Sequence, residues 1–320
     1  MATRREFITK MSAGLCCLAL NISCKKEPDS HKVRFGVISD VHQDLQSDAP
    51  RRLQAFIDAS KDWNPDFIIQ LGDLSHGEDF DTIREVWEQF PGERYSVLGN
   101  HDMDHTPKDA IVKALGMPGK YYSYDFGEIH FVVLDLNYMR EDGQFFDFDR
   151  GNYFRAKWGV DRDLISPEEL DWLKTDLAKT DKPTVIFSHQ GLDDVAKGYC
   201  PNREEVRALF REINDKNAQK VIACFCGHNH VDAYSKIEGV HYFQINSASY
   251  FWTDDADHYS NGHMVEYKDA LYAFVTLDLD SGQITIEGVK SEFLPPAPKP
   301  DDFKNADKVY PYVSDRIIKI

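Results

Sequence analysis

What this 320-residue chain lacks narrows its class before any motif is read. No run of about eighteen apolar residues occurs anywhere, which removes every candidate for a membrane-spanning helix. Cysteine is scarce. Beyond Cys24 only Cys200, Cys224 and Cys226 remain, too few for a disulfide framework. Cys224 and Cys226 sit two apart on an expected strand, so they face the same way at about 6.6 Å between Cα atoms, too far to bridge comfortably. They read as small buried apolar residues; the other reading, a C-x-C metal site, has no second Cys pair beside it. Positive charge is short as well, with 37 Lys and Arg against 54 Asp and Glu and a formal net charge of −17. Such a surface repels nucleic-acid polymers and anionic membranes, so an anionic substrate must be met by something locally cationic.

What the chain does have is a repeated strand-to-loop pattern. Val33 to Ser39 runs into Asp40-Val41-His42, Phe67 to Leu71 into Gly72-Asp73, and Tyr95 to Leu98 into Gly99-Asn100-His101-Asp102. Thr184 to Ser188 then leads to His189, and Val221 to Cys226 to Gly227-His228-Asn229-His230. A single His or Asp after a strand is ordinary, being a turn residue or a satisfied polar group. Five such clusters in succession, each at the carboxyl end of an apolar strand, point to one crevice of an α/β sheet where loops converge.

Strands alternate with helices through most of the length. Leu53, Phe56 and Ile57 mark one amphipathic helix. Ser166-Pro167-Glu168-Glu169 reads as a capping box opening a helix that buries Leu170, Leu173 and Leu177, and Asn202 caps another that carries Val206, Leu209, Phe210 and Ile213. After Asn229 short turns link Val231 to Lys236, Val240 to Ile245, Ala270 to Leu277 and Ile284 to Gly288, which predicts a second, more antiparallel sheet closing the chain. The expected fold class is therefore α/β, two packed mixed β-sheets flanked by helices. Tyr138 to Leu164 and Tyr250 to Lys268 read as long aromatic loops. Residues 33–290 form the expected domain and 291–320 a tail packed over it.

The N-terminus reads as a targeting segment, residues 1–24. Thr3-Arg4-Arg5-Glu6-Phe7-Ile8-Thr9-Lys10 resembles a twin-arginine export signal, with Thr9 intervening before the lysine. That resemblance implies export of an already folded protein. Ser23-Cys24 ahead of Lys25-Lys26-Glu27 fits a lipoprotein cleavage site except that Asn21 stands where leucine is usual, so periplasmic and lipid-anchored products both stay open. Cleavage before Cys24 would remove Arg4, Arg5, Lys10 and Glu6 and take the formal charge from −17 to −19. Any membrane contact would come through lipidation of Cys24.

Taken together, Asp-x-His, Gly-Asp, Gly-Asn-His-Asp, a lone His and Gly-His-x-His, in that order, resemble the calcineurin-like metallophosphoesterase family over about Arg34 to Ile245. The resemblance implies a four-layer αββα fold and two divalent metal ions. One would be held by Asp40, His42, Asp73 and His230, the other by Asp73, Asn100, His189 and His228, with Asp73 bridging. Carboxylate, amide and imidazole without thiolate favour Mn, Fe(II) or Zn, and seven side chains exceed what one ion needs. Such a pair implies phosphoric-ester hydrolysis by a metal-bridging hydroxide, the ester being a monoester, a diester or a nucleotide pyrophosphate.

His101 stands outside the ligand set. The resemblance makes it the group that protonates the leaving oxygen or steadies phosphoryl charge, and Asp102 beside it either orients the imidazole or caps a helix before Thr106-Pro107. His76 stands where purple acid phosphatases, a related group, carry a Tyr; it reads as a turn residue or a substrate-facing one. Phe154, Trp158, Tyr250 and Trp252 either stack on a nucleotide-like substrate or pin their loops to the core. A non-catalytic metal-binding scaffold of the same fold is the alternative, and the retention of every ligand speaks against it.

Overall fold

The computed structural model describes residues 31–155, 160–195, 198–217, 220–253, 264–298 and 309–320. The expected export signal, Trp158 and most of the second aromatic loop lie outside them. The chain runs β1 (Lys32–Ile38), α1 (Ala49–Trp63), β2 (Phe67–Gln70), α2 (Phe80–Trp87), β3 (Glu93–Ser96), a 3-10 turn (His101–Met103) and α3 (Lys108–Ala114). Next come β4 (Tyr122–Phe126), β5 (Ile129–Val133), β6 (Tyr138–Glu141), β7 (Gln144–Asp147), α4 (Asn152–Arg155), β8 (Asp161–Leu164), α5 (Pro167–Leu177), β9 (Thr184–Phe187) and α6 (Arg203–Lys216). The rest are strands: β10 (Val221–Cys226), β11 (Ala233–Ile237), β12 (Val240–Gln244), β13 (Tyr250–Trp252), β14 (Met264–Glu266), β15 (Ala273–Asp278), β16 (Gln283–Gly288) and β17 (Arg316–Lys319).

Two six-stranded sheets dominate, in the orders β17-β16-β15-β1-β2-β3 and β11-β12-β10-β9-β5-β4. In the first, β1, β2 and β3 are parallel, β15 adds antiparallel to β1, and β16 and β17 follow, each antiparallel to the strand before it. In the second, β5, β9, β10 and β12 are parallel and β4 and β11 close the edges antiparallel. The late strands therefore do not make a sheet of their own. β12 pairs with β10, while β15 crosses back to β1 in the other sheet.

The sheets face each other across rings. Phe35 of β1 stacks on Phe67 of β2 at 5.2 Å and meets Phe187 and Phe225 of the other sheet edge-on at 5.6 Å each. All four are fully buried, each contributing about 1.5–3 kcal/mol of transfer free energy. Outside the first sheet α1 buries Leu53, Phe56 and Ile57. Outside the second, α5 and α6 cover it with Leu173, Leu177, Val206, Leu209 and Phe210. That gives four layers, αββα.

Three local expectations are corrected. Tyr138 to Leu164 is not a bare loop but folds in part into a three-stranded sheet, β7-β6-β8. Leu170 is only half-buried; Glu169 takes the inward position on α5. Asn202 does stand at the N-cap of α6, yet its side chain makes no capping bond and instead holds the N–H and C=O of Ile165.

Candidate active site

Five loops bring the site together, after β1, β2, β3, β9 and β10, all at carboxyl ends of parallel strands. Main-chain bonds lock these loops across one another: Asp40 N–H donates to Gly72 O at 3.0 Å, His42 N–H to Asp73 O at 2.9 Å, and Gly227 N–H to His189 O at 3.1 Å. Asp40, His42, Asp73, His228 and His230 all have left-handed backbones, with φ of 54°, 57°, 52°, 67° and 51°. Such conformations cost a side-chain-bearing residue about 1–2 kcal/mol and persist where the surroundings over-determine them. The glycines of the motifs have a packing reason. A Cβ on Gly99 would lie 2.1 Å from the main-chain nitrogen of Asp73, and one on Gly227 would lie 1.8 Å from Ser39 Oγ.

The seven expected ligands gather in one place. Asp40, His42 and His230 form one group: His42 Nε2 lies 3.0 Å from His230 Nε2, which is 3.2 Å from Asp40 Oδ1. Asp73, His189 and His228 form the next, with His189 Nε2 3.1 Å from Asp73 Oδ2 and 3.1 Å from His228 Nδ1. Asp73 Oδ2 also approaches His42 Nε2 at 3.9 Å, so this carboxylate stands between the two groups. Asn100 is beside them, its Nδ2 3.3 Å from the Tyr153 hydroxyl.

Two observations test whether cations fit here. Asp40 Oδ1 and Asn100 Oδ1 are buried oxygens with no hydrogen-bond partner, an arrangement that costs about 1–3 kcal/mol each unless something else satisfies them. The outer nitrogens of the rings are spoken for as well. His189 Nδ1 and His230 Nδ1 each lie 2.7 Å from a main-chain carbonyl, of Leu71 and Tyr250, which fixes the hydrogen there and turns Nε2 inward. The donor set fits two divalent ions sharing Asp73.

Electrostatics agree. Burial pushes the Asp73 carboxyl up, but His189 and His101 outweigh it and hold Asp73 well below the usual carboxylate range. Burial pulls His189 down, yet the Asp73 charge and hydrogen bond push it up to about 10; a divalent cation beside Asp73 would replace that proton. Burial, joined by the charge of His189, pulls His228 down to about 3, leaving a neutral imidazole of the kind a metal takes.

His101 lies at the rim of the second group, and its main-chain N–H donates to Asp73 Oδ1 at 2.8 Å. Its orienting carboxylate is Asp104, not Asp102: His101 Nδ1 sits 2.8 Å from Asp104 Oδ2. Asp102 points inward as a loop tie, accepting from Gly99 N–H at 2.8 Å, Asp73 N–H at 3.1 Å and Ser75 N–H at 3.0 Å, and it caps no helix. Burial lowers His101, but the Asp73 charge and the Asp104 bond reverse this and leave it raised above the ordinary imidazole value.

Several neighbours have roles that the sequence did not show. His76, read as a turn residue or a substrate-facing one, bonds His42 and Asp104. Tyr153 reaches Asp104 and Asn100 from α4. Ser247 Oγ and Ser249 Oγ donate to the carbonyls of Asp40 and Val41 at 2.9 and 2.8 Å, bracing the first loop. Only the small polar run Asn246-Ser247-Ala248-Ser249 hinted at the last two. Of the two readings of Tyr250, the packing one fits: it is 0% exposed and packs 5.1 Å from His42 and 5.2 Å from His230. Phe154 and Trp252 stay exposed, at 58% and 39%. Phe154 lies 5.9 Å from His101, and Trp252 meets Tyr250 edge-on at 5.3 Å.

Residues 33–232 match the calcineurin-like phosphoesterase family model. The manganese-dependent ADP-ribose/CDP-alcohol diphosphatase of Oryza sativa subsp. japonica is 28% identical over 271 residues, covering 67% of this chain and 83% of that one. Among solved structures, a dimetal phosphatase from Danio rerio superposes with a TM-score of 0.59 at 16% identity, over 82% of this chain and 98% of that one. The anchor GAP50 of the Plasmodium inner membrane complex gives 0.52 at 13% identity, over 90% of each. These low identities speak for the fold alone. The family match, spanning more than half of the chain, agrees with a site holding carboxylate, amide and imidazole around a shared Asp73: the chain belongs to the calcineurin-like phosphoesterase family and is a metal-dependent phosphoric-ester hydrolase.

Proposed function

We propose that this chain is an exported diphosphatase that uses manganese to hydrolyse a small nucleotide-like pyrophosphate. The observation that carries the substrate class is the pair of exposed rings beside the metal-capable groups, Phe154 next to His101 and Trp252 next to Tyr250. Exposed rings of this size next to a polar crevice suit a base or sugar face, and base stacking contributes about 1–3 kcal/mol in nucleic-acid binders. The rice relative's activity on ADP-ribose supports the same reading.

Asp40, His42, Asp73 and His230 would hold one ion, and Asp73, Asn100, His189 and His228 the other. When bound, such a pair lowers the pKa of a shared water towards about 7 and neutralises charge on the phosphoryl oxygens. The chain's own residues do the rest. His101 keeps Nδ1–H on Asp104, so Nε2 is the end left to carry a proton to the leaving oxygen. The bond from its main chain to Asp73 fixes the distance between acid and bridging carboxylate.

The test is a comparison of rates on ADP-ribose, an aryl phosphomonoester and an aryl phosphodiester with Mn, Fe(II) and Zn. The expected result is highest kcat/KM on the pyrophosphate with Mn. Phe154→Ala and Trp252→Ala should each raise KM for ADP-ribose by about 5–150-fold, corresponding to stacking of about 1–3 kcal/mol, and leave the aryl monoester and the melting temperature little changed. Equal losses on every substrate would make the rings structural.

Export rests on the paired Arg4 and Arg5 ahead of a short apolar run. Replacing both by lysine should leave the full-length chain inside the cell, and fractionation reads this directly; unchanged export would remove the twin-arginine reading. Labelling with a fatty acid would decide whether Cys24 carries a lipid.

A further inference from the structure

His76 is a buried histidine, 7% exposed, that phosphoryl transfer leaves without a task. Its Nδ1 lies 2.8 Å from Asp104 Oδ2, and its Nε2 lies 3.0 Å from Nδ1 of the expected ligand His42. The same oxygen of Asp104 is 2.8 Å from His101 Nδ1, and the other accepts from the Tyr153 hydroxyl. A carboxylate only accepts, so the nitrogen that each ring turns towards Asp104 carries a hydrogen. With its hydrogen at Nδ1, His76 offers the Nε2 lone pair to the hydrogen on His42 Nδ1. His42 then presents a bare Nε2 towards Asp40 and His230, the side on which an ion would be held.

His42 differs in this from the other ring ligands with a fixed outer nitrogen. His189 and His230 are set by main-chain carbonyls, which no substitution removes. His42 depends on a side-chain relay. A carboxylate acting through an imidazole also makes the ligand a stronger electron donor, as carboxylates hydrogen-bonded to ligating imidazoles do at metal sites. Asp104 itself is fixed by three groups on three segments, His76, His101 and Tyr153, so it does not shift freely when one partner changes.

We infer that His76 and Asp104 are positioning residues that set the tautomer of the metal ligand His42 and of the acid His101 from one carboxylate oxygen, so that ion retention and acid alignment share a single anchor. This rests on His42 being a ligand, and the test separates the two ideas. Metal-free full-length protein is titrated with Mn²⁺ by calorimetry and by the signal of free Mn²⁺. His76→Phe keeps a ring but no nitrogen and should weaken one of two sites by about 10–100-fold, leaving the other unchanged, with kcat recovering as Mn²⁺ is raised. His76→Gln can accept from His42 and donate to Asp104, so it should bind nearly as wild type. Asp104→Asn should weaken the same site and, even at saturating Mn²⁺, lose about tenfold on a substrate with a poor leaving group but little on one with a good leaving group.

Wild-type affinity in both His76→Phe and Asp104→Asn, with His42→Ala losing an ion, would overturn the relay and spare the ligand assignment. Should His76→Phe fold poorly, the Gln and Asn variants carry the same test. Losses in His76→Gln as large as those in His76→Phe would also overturn it, because the ring rather than its hydrogen bonds would then matter. Two ions retained in His42→Ala would remove the ligand assignment itself.

Discussion

The chemistry of this site is legible one residue at a time, because donor type is a local property. Asp, Asn and His placed after strands announce a hard-to-borderline metal site without help from the fold. Orientation is another matter. Asp102 and Asp104 both follow His101 closely, and the sequence offers no reason to prefer either. The 3-10 turn at His101–Met103 decides, since residues three apart eclipse there: Asp104 N–H bonds His101 O at 3.0 Å, and the Asp104 side chain comes to the His101 ring while Asp102 points inward. His101→Ala should therefore lower kcat by about 10²–10⁴-fold with unchanged metal content, and a substrate with a very good leaving group should lose less. Metal analysis and rates on paired substrates check this; equal losses on both would assign His101 to charge stabilisation instead.

At the scale of elements, strand and helix periods were readable and their partners were not. α5 shows why. Ser166 Oγ accepts from Glu169 N–H at 3.1 Å, as a capping box requires, but the Glu169 carboxylate leaves the helix and accepts from Asp135 N–H at 2.7 Å beneath the second sheet. Burial, reinforced by the charge of Asp135, pushes this carboxyl up to about 8. A carboxyl raised in the folded state stabilises the fold while protonated, fully below its ordinary value of about 4.5 and less and less as pH rises through about 8. The melting temperature of the wild type should accordingly fall from pH 5 to pH 9 more steeply than that of Glu169→Gln, whose amide oxygen still accepts from Asp135. Parallel curves would mean that Glu169 is already ionised at pH 5.

For the whole molecule, the sequence by itself determined the class of chemistry and the alternation of elements. Residue type fixes which atoms can hold a cation, and apolar spacing fixes which segments can be strands or helices, both within a few residues. Only the tertiary structure decided what lies beyond that range. It placed β15 against β1 and β12 against β10, so that the β1–β3 and β9–β10 loops open on one crevice. It turned Tyr250 into a wall and left Phe154 and Trp252 exposed. It joined His76 and Asp104 to the ligands through bonds that span 34 and 28 residues of chain. Burial and hydrogen bonding at such separations are properties of packing. They depend on where two sheets meet across Phe35, Phe67, Phe187 and Phe225, and no local pattern carries that information.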